Sequence, residues 1–403
     1  MRPLVLLLLL LGCVAVDHPG PPPGPLALRV TLTGDPGGLD PLAPLPFSST
    51  ALDLPVRVEA IGRDRDLMDW DGRVSLRATS GVLRSAPQMD LVGGVAEGSV
   101  SVALAFSELR VWVTVEGRID EPSSYATGVS EPLWIDLPTL RQVQESPAES
   151  PLLGRFVSIK AAADPDDPRD LVVTGITNDG FYVADLSETA GEFGALFVFS
   201  FSRPNGIEVG DRLSHLSGNV DEFLGFTELG FPTWTILDRD VPVPPAPVLS
   251  PSIVCDDAIM EGWESAIVKV ENLVSDFEGL GDCSDYNTYG QWPALLAGEC
   301  DGEPARINVV NVNTVPSFGF PECENFLSPA PRELSWLIGA IRHTEAANPP
   351  WILVVRDCMD FPPEDRPADC PTLLERPRSG PDRSSHYLFR EIPSCSGVPW
   401  GHH

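Results

Sequence analysis

Apolar and polar side chains alternate along most of this chain. Between residues 26 and 137 the runs LALRVTLTG, LDLPVRVEAIG, GRVSLRATSGVL, GSVSVALAF and ELRVWVTVEG place apolar residues at every second position and end on Gly, Asp or Pro. Successive side chains on a strand point to opposite faces, so this pattern predicts half-buried strands. Short strands at such spacing predict a β-sandwich of five to seven strands. Residues 138–150 lie in the polar stretch DLPTLRQVQESPAESPLLG and read as a linker with one helical turn. Over 151–247 the alternation resumes. GRFVSIKAA opens a strand, and DLVVTGITNDGFYVADL reads as a hairpin around Asn178-Asp179-Gly180, where Asp-Gly suits the positive φ of a tight turn. GALFVFSFS is apolar on both faces, and IEVGDRLSHLSGNVDEFLGFTELG carries Gly218 where a strand must bend sharply. Five strands with a glycine-bent member predict a small closed barrel.

Residues 253–360 repeat this order in diverged form. EGWESAIVKVENLVSDF takes the place of the first strand, YGQWPALL of the hairpin and PARINVVNVN of the middle strand. LSWLIGAIRH brings Gly339 where Gly218 stood, and PPWILVVRDCMDF closes the set. The tail, 361–403, is rich in Pro, Asp, Arg and Ser and would read as disordered but for Cys370 and Cys395. The fold class expected is all-β: an immunoglobulin-like β-sandwich followed by two OB-like β-barrels. The sandwich resembles the bacterial immunoglobulin-like domains of surface proteins by its pattern, and another sandwich topology would read identically. Residues 26–137 hold no cysteine, so the inter-sheet disulfide of antibody domains is excluded. The phrases LLGRFVSI, GFYVADL and VGDRLSHLSGNVDEFLGFTEL resemble the OB-fold modules that accompany secreted bacterial nucleases, and related modules of surface lipoproteins. That resemblance covers about a quarter of the chain. It implies an accessory module and carries over no catalytic residue.

The first 25 residues change the picture of where the chain acts. Arg2 precedes the apolar run Leu4–Leu11, too short to span a bilayer, which takes roughly 18 or more apolar residues. A basic start, a short apolar run and a small residue at its end describe a cleaved secretory signal, here residues 1–12. The order Leu10-Leu11-Gly12-Cys13 resembles the lipobox of bacterial lipoproteins, which implies diacylglyceryl attachment at Cys13. An ordinary signal peptide with a chance cysteine is the alternative. Residues 13–25 follow as a Pro-rich tether, extended at about 3.1 Å per residue. Val14 stands where an inner-membrane retention signal would place aspartate. The expected address is therefore the bacterial cell envelope, with the outer membrane favoured.

Composition narrows the chemistry. The chain has 58 acidic residues against 27 Lys and Arg, a net charge of −31, with 42 prolines and 35 glycines. Residues 151–250 carry 15 acidic and 6 basic side chains, and 251–360 carry 18 and 5. Phosphate attraction dominates general nucleic-acid binding, so its sign is wrong here, and nucleic acid is not an expected partner. The aromatics that a stacking groove would need are present, Phe181, Tyr182, Phe197, Phe199, Phe201 and Trp234, but alternate ones must fill the barrel. Seven cysteines follow the long gap after Cys13: Cys255, Cys283, Cys300, Cys323, Cys358, Cys370 and Cys395. Outside the cytoplasm they read as three disulfides and one spare thiol, with the pairing open. No spacing suits zinc.

No Gly-x-Ser-x-Gly elbow, His-Glu-x-x-His helix or P-loop occurs. His215 reads as a packed or edge residue of a strand, and His343 has no evident nucleophile nearby. Two acidic turns are calcium candidates, DRDLMDWDG with Asp66, Asp69 and Asp71, and DPDDPRD with Asp164 and Asp166, although solvated turns explain both. No cofactor is implied. The expectation is a membrane-anchored, non-catalytic lipoprotein that binds or scaffolds a protein or polysaccharide. A carbohydrate- or single-stranded nucleic-acid-binding accessory to secreted enzymes is the alternative.

Overall fold

A computed structural model describes residues 24–85, 87–116, 126–145, 149–162, 170–276, 290–311, 331–345, 347–366 and 370. These fall into two compact units divided between Leu137 and Pro138, and both are built almost wholly of strands.

The first unit holds β1 (Ala27–Leu32), β2 (Leu52–Ile61), β3 (Gly72–Ala78), β4 (Val82–Leu83), β5 (Gln88–Leu91), β6 (Val95–Ala103), β7 (Ser107–Leu109), β8 (Val111–Val115), β9 (Thr127–Val129) and β10 (Leu133–Ile135). One sheet runs β1-β2-β6-β4, a second runs β5-β3-β8-β9, and β10 pairs with β7. The strand sets β1-β2-β6-β4 and β3-β8-β9 reproduce the A-B-E-D and C-F-G order of an immunoglobulin-type sandwich. Val56, Val58 and Ala60 of β2 point into the core with Val74, Leu76 and Val113. The intervening Arg57 and Glu59 face outward, where Glu59 meets Arg29 on the neighbouring strand at 3.1 Å.

The second unit opens where a linker was expected. Thr139 caps α1 (Leu140–Gln144) through a capping box with Gln142. Val143 is buried, and Gln144 Nε2 donates to the Ala195 carbonyl at 2.9 Å. The helical turn thus packs onto the barrel that follows, because its apolar and amide side chains find partners there.

That barrel comprises β11 (Phe156–Ile159), β12 (Leu171–Ile176), β13 (Gly180–Asp185), β14 (Ala195–Phe199), β15 (Arg212–Phe223) and β16 (Phe226–Asp238). β12 pairs with β13, β13 with β14, β14 in parallel with β16, β16 with β15, and β15 with β11 and β12. β11 and β12 both lie along β15, so they serve as two halves of one first strand. Two short helices, α2 (Pro251–Val254) and α3 (Asp257–Glu261), lead into β17 (Ile267–Ser275), β18 (Gln291–Cys300), β19 (Glu303–Val310), β20 (Glu333–His343) and β21 (Trp351–Val354). These close as β17-β18-β19-β21-β20, with β19 and β21 the parallel pair. Both barrels therefore follow the OB-type circuit, in which the third and fifth strands run parallel.

The two bent glycines occupy matching places. Gly218 pairs with Val157 and Gly339 with Val268, each on the first strand of its barrel. A Cβ on either would lie 2.7 Å from a carbonyl of the fifth strand, Gly230 O or Val354 O. Gly180 departs from the expectation of a positive-φ turn. It stands at ordinary φ, and a Cβ there would come within 2.3 Å of Val198 O. The turn is held instead by Thr177, whose hydroxyl meets Asp179 Oδ1 at 2.7 Å and whose N–H donates to Gly180 O. Glycine is needed for close approach rather than for its left-handed backbone.

Two disulfides are described, Cys255–Cys300 and Cys358–Cys370. The first ties the end of α2 to the end of β18, and the second holds the beginning of the tail against the turn after β21. Cys13, Cys283, Cys323 and Cys395 lie outside the described residues, as does the signal sequence. Among the described residues no helix is long and apolar enough to cross a membrane.

The barrels share a seam. Tyr182, Phe197 and Phe226 of the first pack with Val310, Ala340, Ile352 and Val354 of the second. The β15–β16 hairpin tip reaches across: Glu345 N donates to Leu224 O at 2.9 Å, and His343 Nδ1 lies 3.0 Å from Gly225 O. Arg342 sits 4.7 Å over the Phe226 ring. Arg356 donates to the Thr174 carbonyl at 2.7 Å while Asp360 accepts from its backbone N–H, Nε and Nη2. Gly175 admits that arginine, since a Cβ there would stand 2.7 Å from Arg356 Cδ. This seam explains why β13 and β14 are apolar on both faces. Inward side chains fill the barrel, and outward ones fill the joint.

Candidate functional site

OB barrels usually take ligands on the face of their second and third strands. In the first barrel those are β13 and β14, and Tyr182 and Phe197 on that face are buried in the seam. The side of this barrel left open is formed by β11, β15 and β16.

Directly opposed residues of antiparallel strands share a face. Phe156 opposes Asn219, Ser158 opposes Ser217, Ser217 opposes Thr233, and His215 opposes Thr235. Val157, Leu216 and Val220 point inward and are buried. The outer surface is thus a patch of hydroxyls, one amide and one imidazole beside Phe156, which is 58% exposed. His215 Nε2 lies 3.1 Å from Ser217 Oγ and 3.3 Å from Thr233 Oγ1, and the two hydroxyls are 2.8 Å apart. After Arg212, which pairs with Asp170 at the start of β15, Asp221 is the next charged residue of the strand.

A β-bulge adds the second aromatic. Between the pairs Asn219–Gly230 and Ser217–Thr233, β15 advances two residues and β16 three. The extra residue shifts the alternation, and Phe231, with φ of +49°, turns outward to 71% exposure. Its ring stands 5.0 Å from that of Phe201, which is 58% exposed at φ +61° and 4.5 Å from Phe199. Left-handed backbone at a bulky residue costs roughly 1–3 kcal/mol each. Leaving a phenylalanine in water forgoes about another 1.5–3 kcal/mol. The fold sustains both costs twice within one aromatic row, the combination expected of a contact surface.

Ser217 and His215 come closest to a nucleophile–base pair. Ser217 is buried and its hydroxyl is shared with Thr233, and no carboxylate orients the histidine among the described residues. His343 is engaged by Gly225 O and by the Trp351 ring at 4.8 Å.

A second cluster lies in the seam. Glu264, 3% exposed, accepts from Thr227 N through Oε1 at 3.2 Å, and Glu222 Oε1 accepts from the Thr227 hydroxyl at 2.7 Å and from Ser150 N at 2.8 Å. The Oε2 atoms of both carboxyls are buried without a hydrogen-bond partner. Burial pushes Glu264 well above the usual carboxylate range, raises Glu222, and lifts Glu228 and Glu261 to about 7. Glu264 and Glu228 are buried and Glu222 and Glu261 half-buried, with Arg342 the cation that opposes the rise at Glu228.

The calcium candidates fare differently. Asp71 Oδ1 accepts from Gly93 N at 2.7 Å, so it braces the β5–β6 turn. Asp66, Asp69 and Asp71 do not converge, and among the described residues no group of three or more His, Cys, Asp or Glu is placed to hold a metal ion. Asp164 and Asp166 lie outside the described residues. Of the aromatics picked out from the sequence, Phe181, Tyr182 and Phe197 are buried, Phe199 and Trp234 are half-buried, and Phe201 is exposed. Phe156, Phe231 and the seam carboxylates were not among the sequence candidates. No protein-family model matches the chain, and no curated protein matches it.

Proposed function

We propose that this protein is a bacterial envelope lipoprotein, anchored through Cys13, whose role is non-catalytic binding through the open β11–β15–β16 face of its first OB-type barrel. The exposed pair Phe201 and Phe231, both on left-handed backbone with ring centroids 5.0 Å apart, carries the reading. The lipobox-like Leu10-Leu11-Gly12-Cys13 and the Pro-rich tether support the anchor, since acyl chains contribute about 0.8 kcal/mol per buried methylene and two or more hold firmly. The cover that the second barrel places over β13 and β14 directs contact to the remaining side. The test has two arms. Palmitate labelling of the full chain in cells should be lost in Cys13→Ala. A photo-crosslinking side chain at position 201 or 231 should trap an envelope component in intact cells, whereas the same group at Leu42, 91% exposed on the sandwich unit, should not. Unlabelled wild-type protein would refute the anchor, and absence of adducts from 201 and 231 would refute the contact surface.

A further inference from the structure

We infer that the β11–β15–β16 face binds an uncharged polysaccharide, a proposal that rests on the contact surface above and names what occupies it. Three features of the face specify the chemistry.

First, it offers two aromatic platforms with polar groups between them. Phe156 stands on β11 opposite Asn219, and Asn219 opposes Gly230, the residue before Phe231. β11 and β16 flank β15, so the two rings project from strands two interstrand spacings apart, roughly 10 Å. A flat ligand with C–H faces, repeating along its length, can lie on both at once. A compact small molecule cannot reach both.

Second, the groups between the platforms are neutral hydrogen-bonding partners. Ser158, Thr233 and Thr235 bring hydroxyls, with the buried Ser217 bracing Thr233 from beneath, and Asn219 brings an amide whose Oδ1 has no partner among the described residues. Each hydroxyl can both donate and accept. That matches a ligand whose own groups are hydroxyls. The His215–Ser217–Thr233 network fixes these side chains before any ligand arrives, which lowers the entropy lost on binding.

Third, the charge at the margin rejects polyanions. The exposed Asp221 follows on β15, and residues 151–250 carry 15 acidic side chains against 6 basic. A nucleic acid or sulfated glycan needs cations along its backbone, and the face residues Phe156, Ser158, His215, Asn219, Thr233 and Thr235 include no Lys or Arg.

The test is affinity electrophoresis of the full chain in non-ionic detergent, through native gels holding hydroxyethyl cellulose, dextran, glycogen or mannan, with heparin and oligo-dT gels in parallel. At least one neutral polysaccharide should retard the wild type, with no retardation by heparin or oligo-dT. Phe231→Ala should weaken that binding at least tenfold. Asn219→Asp keeps the side-chain size and leaves both rings in place, and it should also weaken binding, by about tenfold. Equal thermal unfolding of each variant and the wild type would show that the fold is intact. Retardation by heparin or oligo-dT alone, or by none of the four neutral polymers, would overturn the proposal. If adducts still formed at 231 in cells after such a result, the contact surface would stand and its occupant would be a protein. Binding unchanged in both variants would place the glycan elsewhere and overturn it equally.

Discussion

Replacing Glu264 by Gln should stabilise the paired barrels at pH 8 and leave them nearly unchanged at pH 5. The carboxyl sits between the barrels, 3% exposed, with Oε1 on Thr227 N and Oε2 unpaired. Glu261 of α3 and Glu222 of β15, themselves raised by burial, add like charge to it. A carboxyl whose pKa is higher in the folded than in the unfolded chain holds its proton after the unfolded chain has released its own. Stability then falls as pH rises from the unfolded value of 4.5, and levels off above the folded value. For Glu228, lifted to about 7, the fall amounts to roughly 3 kcal/mol once pH exceeds 7. Glu264 is the more deeply buried of the two, and burial raises it in the same direction.

At pH 5 glutamine replaces a carboxyl that is already neutral, and the change should stay within about 1 kcal/mol. At pH 8 it removes the cost of either retaining the proton or burying the charge. Each 1 kcal/mol gained raises Tm by roughly 2–4 °C for a unit of this size, so the advantage of the variant should widen visibly from pH 5 to pH 8. Calorimetry of wild type and E264Q at pH 5, 6, 7 and 8 reads the difference directly, and the ion pairs of the sandwich unit cancel in it. A variant whose advantage does not grow with pH would refute the burial argument, as would a wild-type barrel transition that rises between pH 5 and 8.

Two further outcomes follow from the seam and the bridges. Arg356→Ala strands the buried Asp360 carboxylate and frees the Thr174 carbonyl, so chemical denaturation should show a loss of about 3–5 kcal/mol. The Cys255–Cys300 bridge closes a 45-residue separation and Cys358–Cys370 one of 12. Double serine replacement should therefore cost more at the first, about 4 kcal/mol against about 3, as read from Tm under non-reducing conditions.

The strands were legible because burial on one face imposes period two. The runs of the first unit map onto β1, β2, β3, β6 and β8 nearly residue for residue. Gly218 and Gly339 were legible as bends because only glycine lets the fourth strand pass so close to the fifth. The repeat of the barrel could be read from that shared constraint, although little else in the two sequences agrees. What was not legible is the packing of barrel on barrel. Apolar residues on both faces of GALFVFSFS announce that something covers the outer face, but the pattern does not say what. The second barrel, with Ile352 and Val354, is the answer. The seam carboxylates were hidden for the same reason. In a chain with 58 acidic residues, burial alone marks four of them out, and burial here comes from contacts distant in sequence.

The aromatic row was hidden differently, since its signal lies in a change of parity. In β16 Leu229 faces the barrel interior, and an unbroken alternation would send Phe231 inward as well. Yet Trp234 packs on the buried Phe181 at 5.3 Å, and Thr233 lies on the outer side with Ser217. Interior positions are odd before Gly230 and even after it, which demands one extra residue between them. That residue is the bulge, and the bulge turns Phe231 into water. A strand that only had to close a barrel would keep its alternation and bury the phenylalanine. Here the alternation is broken, the backbone is left-handed, and a large apolar ring is exposed beside another in the same state. Each of these is unfavourable on its own terms, and folding by itself rewards none of them. A ligand that covers the ring recovers the lost burial, which is why the contact surface is assigned to this face rather than to the many acidic turns that merely satisfy their own backbone.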